Sequence, residues 1–138
     1  MQEALNRLVA DLNRREIIDW LPDMKLGRPA YDRIRAAVEH EALTVNQMRN
    51  AFHALFRLRS HATDQEVFDL LVRFTEHADE RVRSEALQLA IGLIRFHSSY
   101  LQPVVVSERD TETFRRALAI GVSQKVTALA RDYLDLRL

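Results

Sequence analysis

The sequence predicts an all-α fold, and three observations carry that prediction. Apolar residues recur at i, i+3, i+4 and i+7 along nearly the whole chain, which is the spacing of one helix face. Glycine and proline number three each among 138 residues, too few for a sandwich or barrel, which turns about every dozen residues. Helix-start chemistry punctuates the apolar runs, with cap residues at Thr44, Thr63, Asp79 and Ser123. An apolar content of 47% supplies an ordinary core. The length suits a single domain over residues 1–138.

Each element can be justified in turn. The first helix is expected from about Gln2 to Leu21, with Leu5, Leu8, Val9 and Leu12 on one stripe. Ile17, Ile18 and Leu21 continue that stripe out of phase, which places a kink near Asn13 to Arg15. Pro22 is expected to stop the helix, Asp23 to Arg28 to form a loop, and Pro29 to open the second helix at its first position. The second helix reaches about Ala42, with Ile34, Ala37 and Val38 inward. Thr44 with Gln47 and Thr63 with Glu66 read as capping boxes opening the third helix, to about Leu58, and the fourth, to about His77. Asp79 caps the fifth, to about His97. Val104 to Val106 is an extended link packed on the core. The sixth helix runs from Glu108 to Ile120, where Gly121 supplies a positive φ. Ser123 caps the seventh, to about Leu136.

Composition excludes several function classes. The absence of cysteine removes disulfides, cysteine-ligated zinc, iron–sulfur clusters and thiol chemistry. Twenty basic residues balance twenty acidic ones, which argues against nucleic-acid binding by bulk charge. Eighteen of the basic residues are arginine; only Lys25 and Lys125 are lysine. No apolar run approaches the roughly 20 residues of a membrane span. The start of the chain lacks the pattern of a secretory leader, so a cytoplasmic location and no membrane contact are expected.

A repeat search refines the architecture. From Asp79 to Ile94, Val82, Ala86, Leu89, Ala90 and Leu93 share one face, and Arg83 follows the first apolar anchor. This stretch resembles the second helix of a HEAT repeat. Val126, Ala130, Tyr133 and Leu134 match it weakly 44 residues later, and Met48, Arg49 and Leu55 match it 34 residues earlier. These offsets bracket the roughly 40-residue period of HEAT and armadillo repeats. His77 stands where HEAT repeats often carry an Asp that bonds along the stack. The resemblance implies a small α-solenoid of about seven helices, an N-terminal helix plus three antiparallel hairpins, with a closed helical bundle as the alternative. It also implies binding of a partner on the face shared by the third, fifth and seventh helices.

On that face the third helix carries Asn46, Arg49, Asn50, His53 and Arg57. The fifth offers a narrow strip of Ser84, Glu85, Gln88, Gly92 and Arg95, and the seventh offers Thr127, Arg131, Asp132 and Asp135. The expected partner-binding residues are Asn46, Arg49, Asn50, His53, Arg57, Gln88, Arg95 and Arg131. Trp20 and Tyr31 form a second candidate interface, because aromatic anchors dominate binding hot spots. The expected function is a non-enzymatic protein-interaction module, either an adaptor or an immunity-type inhibitor that occludes an enzyme. The alternative is binding of a nucleic-acid backbone through the Arg49, His53 and Arg57 strip. The histidines His40, His53, His61, His77 and His97 show no metal-ligand spacing, and no phosphate-loop or nucleophile-elbow motif is present. Acid pairs such as Asp132 with Asp135 and Glu39 with Glu41 read as surface ion-pair partners. No cofactor, metal or catalytic residue is expected, and the identity of the partner and the oligomeric state stay open.

Overall fold

The computed structural model describes residues 2–60, 63–95 and 104–136. The described residues are helical with short connections, so the chain is all-α. The helices are α1 (Gln2–Ala10), α2 (Glu16–Met24), α3 (Gly27–His40), α4 (Val45–Leu58), α5 (Asp64–Phe74), α6 (Glu80–Arg95), α7 (Glu108–Ile120) and α8 (Gln124–Leu136), with a 3-10 turn at Asp11–Asn13. They fall into two compact units, Met1–Ser60 and His61–Leu138.

In the first unit α1 packs on α3, α2 packs on α4, and α3 and α4 form a hairpin. The single first helix expected from the sequence is two helices. Leu5, Leu8, Val9 and Leu12 are buried on one stripe. A continued helix would turn exposed Arg15, Glu16 and Asp19 onto that stripe and take Ile17, Ile18 and Leu21 off it. The 3-10 turn, closed by Arg14 N–H donating to the Asp11 carbonyl at 2.9 Å, re-phases the chain so that all three apolar residues are buried.

Pro22 does not stop α2, which runs to Met24. Proline's fixed φ of about −65° is itself helical, and what it loses is one N–H. The turn comes instead at Lys25 and Gly27, with φ of 52° and 57°. Nothing lies within 4 Å of a Cβ built on Gly27, so its role is the backbone angle alone. Pro29 therefore sits within the first turn of α3 rather than opening it, where N–H groups have no intrahelical partner in any case. α3 ends at His40. The expected capping box is present at α4: Thr44 Oγ1 accepts from Gln47 N–H at 3.1 Å, and Gln47 Oε1 accepts from Thr44 N–H at 3.0 Å.

In the second unit α5 and α6 form one hairpin and α7 and α8 another, with α5 against α7 and α6 against α8. Phe68 and Phe114 meet edge to face at 6.3 Å between centroids, and Tyr133 meets Phe114 at 6.4 Å. Val67, Phe68, Leu71, Val82, Ala86, Ala90, Phe114 and Ala130 are buried around them. Phe74 is only half-buried, at the end of α5, where it stacks on His77.

Several starts differ in chemistry from expectation. Thr63 makes no capping bond to α5, because its backbone is already near-helical (φ −109°, ψ −3°) and its side chain is buried. Asp79 caps α6 as expected, its Oδ1 accepting from Arg81 N–H at 2.8 Å. The side-chain hydrogen bond from Arg81 holds the Asp79 carboxyl below the usual carboxylate range. A capping box not foreseen, Ser107 with Asp110, opens α7. Gly121 ends it with φ 126°. Ser123 caps α8 by accepting from Val126 N–H at 3.3 Å. The link at Val104–Val106 does not pack wholly on the core: Val105 is 73% exposed. Its backbone is held by the Gln65 amide, which accepts from Val105 N–H at 2.7 Å and donates to its carbonyl at 3.2 Å. The Pro103 part of this connection, His61 and His97 lie outside the described residues.

The predicted exposed strip of α6 is largely covered. Ser84 is buried, and Glu85, Gln88, Gly92 and Arg95 are half-buried. Contacts with α5, α7 and α8 leave α6 little surface. Arg83 is buried and uses its whole fork on carbonyls. Its Nε and Nη2 donate to Gly121 at 3.0 and 2.7 Å, and its Nη1 donates to His77 and Ala78 at 3.1 and 2.7 Å. Beside it, Ser84 Oγ accepts from Ser123 N–H at 2.9 Å.

A common spacing runs through these bonds. Asn50 to Leu12, Arg57 to Asp19 and Arg83 to Gly121 each span 38 residues; Ser84 to Ser123 spans 39; Gln65 to Val105 and Glu76 to Arg116 span 40. The bond from Arg33 to Asn6, which joins α3 to the shorter α1, spans 27. Within each unit, bonds between segments 38–40 residues apart thus recur.

Two stability outcomes follow. Ala86→Leu should destabilise the fold by about 1–3 kcal/mol in a urea titration, because the site at 0% exposure has no room for three more carbons. Arg83→Ala should cost about 1–3 kcal/mol for the carbonyls it leaves unmet, and Arg83→Lys less, since an ammonium satisfies some of them without the fork.

Candidate interaction face

The first unit holds most of the residues singled out in the sequence. Along α4, Asn46 and Arg57 are exposed, and Arg49 and His53 are half-buried. These positions are spaced so that they share one side of the helix over about three turns. Asn50 does not belong with them. It is 8% exposed and donates from Nδ2 to the Leu12 carbonyl at 2.6 Å. The 3-10 turn explains this: ending α1 leaves carbonyls without intrahelical donors, and the Asn50 amide meets one of them. The sequence wheel placed Asn50 outward because it could not show that a neighbouring backbone lies opposite.

The aromatic pair separates. Trp20 is 46% exposed on α2, with the Arg14 guanidinium 5.8 Å from its ring centroid. Tyr31 is 1% exposed and belongs to the core, on the α3 face shared with Ile34 and Val38. It therefore offers no interface. Next to Trp20, Asp19 accepts from Arg57 Nη2 at 3.2 Å. The two side chains are 76% and 48% exposed, so the pair is solvent-screened and worth under about 1 kcal/mol. Its consequence is geometric: it ties the α2 segment carrying the indole to the end of the basic strip on α4.

In the second unit Gln88 and Arg95 are half-buried on α6, and Arg131 is exposed on α8. Asp132 and Asp135 are exposed as expected. In the first unit, Glu39 accepts from Arg35 at 2.8 Å and Glu41 from Arg33 at 2.5 Å, which is the ion-pair role read for these acids. His77 serves the start of α6, its Nδ1 accepting from Asp79 N–H at 3.0 Å.

One feature of the second unit escaped the sequence reading. A cleft of about 250 Å³ lies between α5 and α7, lined by Asp69, Arg73 and Glu76 on one side and Arg109, Thr113 and Arg116 on the other. The two triplets are 40 residues apart, position for position. That spacing was the available signal, and it is invisible until the register between the hairpins is known. Among the described residues no group of three or more His, Cys, Asp or Glu side chains is placed to hold a metal ion, and no helix is long and apolar enough to cross a membrane.

With Asn50 committed to a backbone carbonyl, its loss should be felt in stability. Asn50→Ala should lower the unfolding free energy by about 1–3 kcal/mol, read by urea titration, by leaving the Leu12 carbonyl buried and unmet.

The comparisons with known proteins add no relative: no family model matches the chain, no curated protein matches it, and no solved structure matches it.

Proposed function

We propose that the protein is a non-enzymatic interaction module that takes a partner protein on the α2–α4 face of the first unit. Trp20 is the anchor, and Arg57, Arg49, His53 and Asn46 are the polar contacts around it. The observation that carries this reading is an indole left 46% exposed at the edge of a strip rich in arginine. A buried tryptophan covers up to about 250 Å², so closing the remaining exposure removes roughly 100 Å² from water. That is worth about 2–3 kcal/mol. The Arg57–Asp19 pair contributes less than half of that in solvent. Trp20 thus supplies affinity, and the arginines supply orientation and selection for an acidic partner.

The bonds of 38–40 residues in span within each unit support reading the units as HEAT- or armadillo-like repeat pairs in an α-solenoid. Such repeats present rigid helix faces to partners. An adaptor and an immunity-type inhibitor both need only this. Gln88, Arg95 and Arg131 in the second unit are further contact candidates of the same reading.

Affinity purification with mass spectrometry tests the proposal, using the wild type, Trp20→Ala and Arg57→Glu. A specific partner should be recovered by the wild type. Its affinity should fall about thirtyfold in Trp20→Ala, while the melting temperatures of all three proteins stay close. A partner bound equally well by both variants would put the interface elsewhere. The Arg49, His53 and Arg57 strip also gives a nucleic-acid reading its one supporting feature. Binding to random duplex at about 50 mM salt, lost steeply as salt rises, would favour it over the protein partner.

A further inference from the structure

The α5–α7 cleft in the second unit is built as a ladder. At one end Gln65 on α5 is bonded to Val105 just before α7. At the other, Arg116 Nη2 donates to Glu76 Oε1 at 2.7 Å. Both rungs join residues 40 apart. The same 40-residue offset relates Asp69 to Arg109 and Arg73 to Thr113, and all four line the cleft. The rung between Glu76 and Arg116 is a closed ion pair. The rung between Asp69 and Arg109 carries the same opposite charges and is open: no ion pair joins them among the described residues. Asp69 accepts through Oδ1 from Gln65 at 3.0 Å.

The floor of the cleft is fixed. Thr113 is 6% exposed; its Oγ1 donates to the Arg109 carbonyl at 2.9 Å and accepts from Arg116 at 3.0 Å. Val72, 8% exposed, is the apolar part of that floor. At about 250 Å³ the cleft is just below the range of drug-sized sites, so it suits a small ligand. The lining decides the ligand's charge. Three arginines alone would suit a phosphate. Asp69, Glu76 and Asp110 stand among them and repel a dianion. A ligand bearing one anionic and one cationic group can set each charge beside an opposite one on the open rung, which a dianion cannot do for all of its charge.

We propose that this cleft binds a small zwitterion of amino-acid or dipeptide size, its carboxylate on Arg109 and its ammonium on Asp69. The site is separate from the Trp20 face and does not depend on it.

The test is an amide-detected NMR titration of the full chain at neutral pH with glycylglycine, and in parallel with inorganic phosphate and with propionate. Glycylglycine should give saturable shifts centred on residues 69–76 and 109–116, at millimolar concentrations. Phosphate and propionate should bind more weakly. Arg109→Gln and Asp69→Asn replace exposed side chains, so both should fold as the wild type does, and each should weaken glycylglycine binding about fivefold, the loss of one exposed charge pair. Phosphate binding as tightly as glycylglycine would overturn the proposal in favour of an anion site. Glycylglycine producing no saturable shifts, or binding unchanged in both variants, would overturn it outright.

Discussion

Arg83 is the point on which the second unit turns. A guanidinium keeps its charge at any accessible pH, so once buried it must be surrounded by acceptors. Here the acceptors are backbone carbonyls from two places: His77 and Ala78, just before α6, and Gly121, between α7 and α8. One side chain therefore ties the turn of one hairpin to the turn of the next. Gly121 completes the arrangement, since its φ of 126° is one that side-chain-bearing residues rarely adopt. Ser84, the next residue on α6, bonds Ser123 beyond the same turn. With those two bonds in place, α8 can meet α6 in one register only. Ala86 and Ala90, both at 0% exposure, let the helices approach closely enough to close it.

The first unit solves the same problem with neutral chemistry. Asn50 on α4 bonds the Leu12 carbonyl that the 3-10 turn releases. In both units a polar side chain on the second helix of a hairpin reaches a backbone carbonyl in a turn between two other helices, 38 residues away. These bonds are individually modest, about 1 kcal/mol for a neutral pair and about 1.5–3 kcal/mol where the donor is charged. The apolar stripes drive association, and the polar bonds choose among the ways those stripes could slide past one another. The register is consequently a property of few residues, while the energy is spread over many.

That division explains what the sequence disclosed. Helix type and phase are local, and they were legible: the Thr44–Gln47 box, the Asp79 cap, the α7 bounds at Glu108 and Ile120, and the core positions of α6 agree with the structure. The fate of polar residues near the edge of a stripe depends on what faces them. Asn50 and Ser84 look solvated on a wheel and are buried because a carbonyl or an N–H lies opposite. Tyr31 looks like an anchor and is core. Pro22 looks like a stop and is not, because its φ is helical and the left-handed Lys25 ends α2 instead. The cleft needed still more, since its two sides become neighbours only once the 40-residue register is known.

The candidate sites are made of what that register leaves over. Arg83, Ser84 and Asn50 have their hydrogen-bonding capacity committed to main-chain groups and have little left with which to recognise a ligand. Trp20 lies at the edge of the α2 face that buries Ile17, Ile18 and Leu21, and is 46% exposed. Asp69 and Arg109 are exposed and stand beside rungs that are already closed. Neither Trp20 nor the Asp69 and Arg109 side chains belong to the buried core, and each stands beside groups that do. This is the arrangement a binding site requires, because a side chain that must also maintain the fold cannot exchange its partners for a ligand without loss. The two sites nevertheless draw on different forces. At Trp20 the gain is area removed from water, which salt scarcely screens. At the open rung it is charge meeting charge in solvent, which a Debye length of about 8 Å at physiological salt screens strongly. The first can sustain a tight complex, whereas the second can hold a ligand only weakly and reversibly, as suits a small zwitterion sampled from solution.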